Sequence, residues 1–244
     1  MKPIVIAIDG PAGAGKSTVA RLVADELGVP YLDTGAMYRT VTLAALSKKI
    51  DLSDEAVVGV MAERIKIRLE ATTTGTRVLL DGWDVTREIR SARVTTHVSL
   101  VAAHPPVRRR MVALQRELGS SGGVMEGRDI GSVGFPDARF KFFLEASPDE
   151  RARRRHAELT GGGAKVDLSN VLSDLNRRDK EDSSRKEAPL VCPADAFVID
   201  TSGRLPEEVA ALILARVREG AGGPEGGAPT EGSDLSDGGL ASGL

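Results

Sequence analysis

The feature that most constrains the fold of this chain is a glycine-rich segment that follows an apolar run near the amino end. Residues 4–8 are apolar and rich in β-branched side chains, which is typical of a strand buried on both faces of a parallel sheet. Residues 10–17 match the pattern G-x-x-x-x-G-K-[ST] at every fixed position, and a helical pattern follows. Strand, loop and helix in this order predict an α/β domain with a phosphate-binding loop.

The chemistry of a polyphosphate explains the residue types in this loop. Glycine lets backbone N–H groups curl around phosphate oxygens, since a Cβ atom would crowd that approach. The helix that follows adds unpaired N–H donors and a favourable dipole. Lys16 is predicted to contact the β- and γ-phosphates, and Ser17 to offer its hydroxyl to Mg²⁺. The residues predicted to bind ATP are Gly10, Pro11, Ala12, Gly13, Ala14, Gly15, Lys16, Ser17 and Thr18.

Composition narrows the class of protein. A length of 244 residues suits one α/β domain with a small insertion. The net charge of −2 offers no bulk attraction for nucleic acid, and the single cysteine, Cys192, excludes an internal disulfide framework. No charged-then-apolar leader precedes the first strand, and the apolar runs are too short to cross a bilayer. We therefore expect a cytoplasmic protein without nucleic-acid or membrane partners. A monomer is the expected oligomeric state, although composition does not determine it.

The hydrophobic pattern divides the chain into an α/β body, an insert and a tail. Alternation of apolar and polar residues on either side of a turn at 72–76 predicts an antiparallel hairpin, within an inserted subdomain at about 62–90. Residues 221–244 are rich in glycine and acids and predict a disordered tail. Strands are predicted at 4–8, 29–33, 65–69, 77–81, 124–126, 139–144 and 196–200. Helices are predicted at 19–27, 34–49, 54–63, 86–103, 105–118, from 148 to a break at 161–163, at 168–186 and at 206–218.

Polar residues follow the predicted strands, at the edge where parallel sheets bind ligands. Arg128 comes directly after one strand, and Asp33 with Thr34 ends another. Arg178, Asp182 and Arg185 share one face of a very polar helix. That helix has little apolar pattern, so we interpret residues of about 151–187 as a mobile lid whose arginines close over a transferring phosphoryl group. Solvated helix faces are the competing interpretation for any single arginine.

Together these segments resemble the bacterial cytidylate kinases, of the nucleoside monophosphate kinase family. The matching segments appear in the family's order over about residues 3–218, at 8–17, 32–39, 127–131, 178–185 and 188–190. The resemblance implies an α/β protein with the P-loop NTPase fold: a five-stranded parallel sheet flanked by helices, a small antiparallel monophosphate-binding insert and a short helical lid. It assigns residues 1–220 to the kinase domain.

The resemblance also implies an activity and a set of site residues. The activity is ATP-dependent transfer of a phosphoryl group to CMP or dCMP, with Mg²⁺. The residues that would face the cytosine are Thr34, Arg108, Asp129 and Arg185. Those that would face the sugar are Ser99, Arg178 and Asp182. The acceptor phosphate would be held by Arg39 and Arg128. Tyr38 belongs to the same CMP-binding set, and the implied catalytic residues are Lys16, Arg128, Arg178 and Arg185. Two departures from some members are Thr34 in place of serine and Glu181 in place of an arginine.

Three alternatives stay open. The first is another small-molecule kinase, such as a uridylate, adenylate or shikimate kinase. The second is a regulatory GTPase, which needs an Asn-Lys-x-Asp segment after a strand; the nearest match, residues 176–179, lacks the lysine and lies in the polar helix. The third is an ATP-driven motor, which would need a strand-borne acidic pair and a basic face; Glu126 is a partial candidate. The three histidines, Trp83 and Cys192 suggest no chemistry.

Overall fold

The computed structural model describes residues 3–72 and 75–221, so nearly all of the predicted tail lies outside the described residues. The strands are β1 (Val5–Asp9), β2 (Tyr31–Asp33), β3 (Ile67–Thr72), β4 (Gly75–Leu80), β5 (Trp83–Asp84), β6 (Gly123–Glu126), β7 (Phe140–Glu145) and β8 (Phe197–Asp200). The helices are α1 (Lys16–Leu27), α2 (Thr34–Ser47), α3 (Glu55–Arg64), α4 (Ala92–Ala103), α5 (Pro105–Leu118), α6 (Pro148–Gly161), α7 (Leu168–Ser183) and α8 (Pro206–Ala221).

Five of these strands form one parallel sheet in the order β2-β6-β1-β7-β8, which confirms the predicted sheet. Strands β1 and β2 are consecutive in the chain, yet β6 lies between them, pairing Ile8 with Glu126 on one side and Asp33 with Glu126 on the other. Because all three strands end at this edge, the glycine-rich loop, Asp33 and the segment after Glu126 meet there. The site therefore lies beyond the carboxyl ends of the strands, as in other open α/β sheets.

Both faces of the sheet are covered, as the continuous apolar run of β1 predicts. Ile6 and Ile8 face one side, where they pack with residues of α1 and α8. Ala7 faces the other side, where it packs with Leu32, Met125 and Ile130. A second cluster joins α2, α3, α4 and α5. No helix within the described part of the chain has the length and apolar character needed to span a membrane.

The insert is a separate three-stranded antiparallel sheet in the order β3-β4-β5. The predicted hairpin is present, but the sequence pattern missed β5. Asp81 and Gly82 connect β4 to β5 with positive φ angles of 50° and 91°, the geometry of a tight Asp-Gly hairpin turn. The helix predicted from residue 86 begins only at Ala92, because a short 3-10 turn at Glu88–Arg90 precedes it and Ser91 caps its first turn.

Helices α6 and α7 pack together beside the glycine-rich loop. Val171 and Leu175, one turn apart on α7, are buried against Ala152 of α6 and Ala12 of the loop. This narrow apolar stripe explains how a very polar helix docks on the body. The segment interpreted as a lid thus lies directly over the phosphate-binding loop.

Candidate active site

The loop between β1 and α1 depends on glycine at two positions. Gly10 has φ of 145°, and a Cβ atom there would lie 2.0 Å from the carbonyl oxygen of Leu144. Gly15 has φ of 86° and precedes α1 without a side-chain cap, so the first N–H groups of that helix stay open to a ligand. The sequence therefore builds a backbone cradle whose donors converge at a helix amino end, where the dipole favours an anion.

Lys16 lies at the centre of this cradle. Its side chain is buried, and Nζ donates to the carbonyl oxygen of Pro11 at 2.7 Å. The pKa of Lys16 is lowered to about 7, chiefly by burial and then by the nearby Arg128 guanidinium, whereas Glu126 and Asp9 act in the opposite direction. A bound polyphosphate would hold the lysine in its charged form, because an adjacent negative charge raises the pKa of an amine.

Glu126, at the end of β6, is a buried carboxylate next to the loop. It is 3 % exposed and accepts a hydrogen bond from the Tyr31 hydroxyl. Burial raises the pKa of Glu126, and the neighbouring Asp33 raises it further, while Lys16, Ser17 and Tyr31 oppose this shift. From the sequence, Glu126 was only a partial candidate for the acidic pair of an ATP-driven motor. The signal that would have found it is an acid at the end of a buried strand.

A buried ion pair forms the far end of the cavity. Arg108 of α5 and Asp129 contact each other through Nη2 and Oδ2, and the two residues are 3 % and 6 % exposed. A second nitrogen of Arg108 donates to the carbonyl oxygen of Ala102 at 3.1 Å, and the guanidinium carbon lies 5.5 Å from the centre of the Tyr38 ring. These contacts hold one donor group and one acceptor group in a fixed orientation.

Asp182 of α7 gathers a second group of predicted residues. It accepts hydrogen bonds from Arg128 at 2.9 Å, from the Ser99 hydroxyl at 3.4 Å, and from Arg185. Burial by itself would raise the pKa of Asp182, but Arg128 and Arg185 outweigh burial and hold that pKa below its usual value. Thr34 instead donates its hydroxyl to the carbonyl oxygen of Glu126 at 2.7 Å.

Three arginines converge between the loop and this group. Burial together with the charge of Arg128 lowers the pKa of Arg178 to about 10. Burial together with the charge of Arg178 lowers the pKa of Arg39 to about 9. Arg178 Nε is buried without a hydrogen-bond partner among the described residues. Arg39 donates to Thr95 at 2.8 Å. Like charges held together out of water favour binding of an anion between them.

One cavity of about 630 Å³ joins these groups. Every residue that the sequence analysis assigned to a site lines this cavity except Gly10 and Pro11, which shape the loop from outside. The lining also includes arginines that the sequence analysis assigned neither to a site nor to the lid, namely Arg21, Arg90 and Arg204. Arg90, in the turn before α4, donates to Asp33 at 3.1 Å and so connects the region of the insert to the sheet.

Helices α6 and α7 both form hydrogen bonds with one residue of the loop, Ala12. Its N–H donates to Asp179 Oδ1 at 3.3 Å, and its carbonyl oxygen accepts from Arg151 Nη1 at 3.0 Å. Arg151 and Asp179 also form an ion pair with each other. Both polar groups of one loop residue are therefore held by the two helices above it.

The chain is similar to cytidylate kinases over most of its length. The family model described as cytidylate kinase matches residues 6–219. A cytidylate kinase of Pelotomaculum thermopropionicum is 54 % identical over 217 residues, which cover 88 % of this chain and 96 % of that protein. A cytidylate kinase of Desulforamulus reducens is 51 % identical over 216 residues, covering 88 % and 97 %. A third, of Shouchella clausii, is 49 % identical over 215 residues, covering 88 % and 96 %. With a family model that spans most of its length and relatives at this level of identity, the chain belongs to the cytidylate kinase family.

Proposed function

We propose that the protein transfers the γ-phosphoryl group of ATP to CMP or dCMP and releases ADP with CDP or dCDP. Membership in the cytidylate kinase family and the similarity to curated cytidylate kinases support this activity. The observation that carries the choice of acceptor is the buried pair of Arg108 and Asp129 at one end of the cavity, with Lys16 and the glycine-rich loop at the other.

In this proposal, Arg108 and Asp129 recognise the base by the positions of its hydrogen-bond donors and acceptors. Cytosine presents an amino donor at N4 and acceptors at N3 and O2, so a carboxylate beside a guanidinium complements it. Uracil or thymine would place a carbonyl oxygen opposite the Asp129 carboxylate. Two acceptors facing each other in a buried site leave both without a partner, which penalises the wrong base.

The reaction needs alignment and charge neutralisation more than a base. The phosphate of CMP is already a nucleophile at neutral pH, so no residue is required to remove a proton from it. Lys16 would neutralise the developing charge on the donor phosphates, and Arg39 with Arg128 would hold the acceptor phosphate in line. Arg178 and Arg185, on and after α7, would exclude water that otherwise hydrolyses ATP.

Mg²⁺ fits beside Ser17. The described residues contain no cluster of three or more acidic, histidine or cysteine side chains that would enclose a metal ion. An enclosed site is not needed here, because Mg²⁺ in kinases keeps several waters and binds substrate phosphates plus one or two protein oxygens. The Ser17 hydroxyl and the Glu126 carboxylate interact at this position and are the groups that would hold the ion. When bound, Mg²⁺ neutralises charge on the β- and γ-phosphates.

The division into parts is also a proposal. Residues of about 62–90 would close on the acceptor as the monophosphate-binding insert, and residues of about 151–187 would close on ATP as the lid. The packing of Val78 of β4 against Ala36 of α2 supports the first, because it ties the insert to the acceptor side. We further infer a cytoplasmic monomer that acts on free nucleotides.

The lid contact at Ala12 leads to a prediction. In an Asp179→Asn variant, the loss of charge weakens the bonds to Arg151 and to the Ala12 N–H, so the lid holds the loop less firmly. We expect phosphoryl transfer to slow about tenfold, the size of a lost charge-assisted hydrogen bond. Release of ADP from ATP and CMP measures the rate. The matched control is Glu181→Gln on the same helix, whose ion pair with Arg177 is exposed; equal rates for the two variants would contradict the prediction.

An acceptor panel tests the proposed function. The purified protein is mixed with ATP, Mg²⁺ and one of CMP, dCMP, UMP, AMP or shikimate, and ADP release is followed by a coupled assay. We expect kcat/KM to be highest for CMP or dCMP. A higher kcat/KM for UMP, AMP or shikimate would overturn the choice of acceptor, and ADP release independent of any acceptor would favour a nucleotide hydrolase.

A further inference from the structure

Asp9 is a buried carboxylate to which neither the loop pattern nor the proposed chemistry gives a role. It is the last residue of β1, directly before Gly10, and is 2 % exposed. Its two oxygens accept hydrogen bonds from the N–H groups of Ile130 at 2.9 Å and Gly131 at 2.7 Å. Those two residues come immediately after Arg128 and Asp129. An acid on the strand that carries the ATP loop is thus bonded to the segment that carries the acceptor residues.

The local geometry explains why this bond is needed. Residues Ile130–Gly134 form a short helical turn, and Asp129 occupies the position before it. An aspartate at that position ordinarily accepts a hydrogen bond from the second or third N–H group of its own turn, here that of Gly131 or Ser132. Here the Asp129 side chain makes no such bond and instead contacts Arg108. Asp9 takes over the free N–H groups, which leaves the Asp129 carboxylate available to the cavity.

Space around the contact is tight. A Cβ atom on Gly131 would lie 3.4 Å from Asp9 Oδ2 and 3.3 Å from the side chain of Lys141. Burial raises the pKa of Asp9 to about 6, and the two backbone hydrogen bonds limit the rise, so the group is a carboxylate at the pH of a usual assay. A buried carboxylate is costly without compensating hydrogen bonds, and shifting Ile130 or Gly131 would remove them. Asp9 therefore restrains the backbone next to Asp129.

We propose that Asp9 is a positioning residue for the acceptor: from the donor strand, it sets the placement of Arg128 and Asp129 and thereby governs CMP affinity and base discrimination. This proposal rests on the proposed function. It assigns an effect on the acceptor to a residue that is adjacent in sequence to the ATP-binding loop. A residue that only stabilised the sheet would affect both substrates alike, so the two roles predict different kinetics.

The test is an Asp9→Asn variant, which keeps the size of the side chain. The amide oxygen of asparagine can accept a hydrogen bond from only one of the two N–H groups, that of Ile130 or that of Gly131. The NH₂ group of the amide then faces the other N–H group, and two donors cannot bond to each other. We expect KM for CMP to rise about tenfold and the preference for CMP over UMP to fall about tenfold, each the equivalent of one lost hydrogen bond to a charged group. KM for ATP should change much less than KM for CMP, because the ATP loop keeps its own backbone bonds and a bound polyphosphate keeps Lys16 charged when the Asp9 carboxylate is lost. Asp54→Asn, an acid that caps α3 outside the cavity, is the control for loss of a backbone-capping carboxylate.

A second arm keeps the test decisive if Asp9→Asn does not fold. Gly131→Ala leaves Asp9 in place and crowds the same contact, so it should raise KM for CMP and weaken base preference in the same direction. In an Asp129→Asn background, Asp9→Asn should no longer change base preference, because the group it positions is altered. Equal rises in KM for ATP and CMP, or a fall in kcat alone with unchanged base preference, would overturn the role of Asp9. Failure of the wild-type protein to phosphorylate CMP would instead overturn the proposed function.

Discussion

Replacing Lys16 with alanine is expected to lower kcat by about two to three orders of magnitude, the loss typical of removing one preorganised charge-stabilising group. The Lys16 ammonium is the buried cation inside the glycine-rich loop, held there by the carbonyl oxygen of Pro11. Without it, the negative charge that develops on the donor phosphates loses its nearest counter-charge. Steady-state ADP release with CMP and ATP measures the effect, and a turnover near that of wild type would mean that the loop is wrongly assigned.

A matched pair of variants separates chemistry from folding. Lys141 is also a buried lysine that donates to a proline carbonyl, that of Pro136, but it lies outside the cavity lining and pairs with Asp195. Replacing each lysine with methionine removes a buried charge of the same kind while keeping most of the volume. We expect Lys16→Met to be almost inactive and Lys141→Met to keep its kcat, whatever their melting temperatures. Equal losses of kcat would point to a general effect on folding.

Changing Asp129 to asparagine is expected to lower the preference for CMP over UMP by about ten- to a hundredfold, the range given by one well-placed pair of base contacts. The carboxylate only accepts hydrogen bonds, whereas an amide can also donate to the carbonyl of uracil. Asparagine is preferred to alanine because alanine would leave the buried charge of Arg108 without its ion-pair partner, at a cost of about 3–5 kcal/mol in stability. The ratio of kcat/KM for the two nucleotides is the measurement.

The control for Asp129 is Asp195→Asn, which breaks another ion pair with a buried cation but lies away from the cavity. Its base preference should equal that of wild type. If Asp129→Asn keeps the wild-type preference as well, the pair with Arg108 does not read the base, and the discrimination must arise elsewhere in the cavity.

The parts of the fold that sequence reasoning predicted are those with a local cause. Continuous apolar residues in β1 predict burial on both faces, and Ser147 with Pro148 predicts the start of α6; both are present. The order of strands in the sheet has no local cause, since β6, which lies between β1 and β2 in the sheet, comes far later in the chain than either of them. Strand β5 was missed although Asp81 and Gly82 carry a recognisable hairpin signal.

The same distinction holds for the candidate site. Lys16 and Arg128 were found because they belong to short patterns of fixed spacing. Asp9, Glu126 and Asp179 were not assigned to a site, because what they contact lies far away in the chain: Asp9 bonds to residues 121 and 122 positions later, and Asp179 bonds to Ala12 across 167 positions. For such residues a sequence offers only weak signals, such as an acid at the end of a buried strand.

The central claim is that the two ends of one cavity bring the terminal phosphate of ATP to the phosphate of CMP. The most direct measurement uses ATP labelled at its γ-phosphorus, mixed with CMP, Mg²⁺ and the purified protein, and separates the products by chromatography. We predict that the label appears in the β-phosphate of CDP, in amounts equal to the ADP formed. Label released as inorganic phosphate, with CMP left unchanged, would contradict the account.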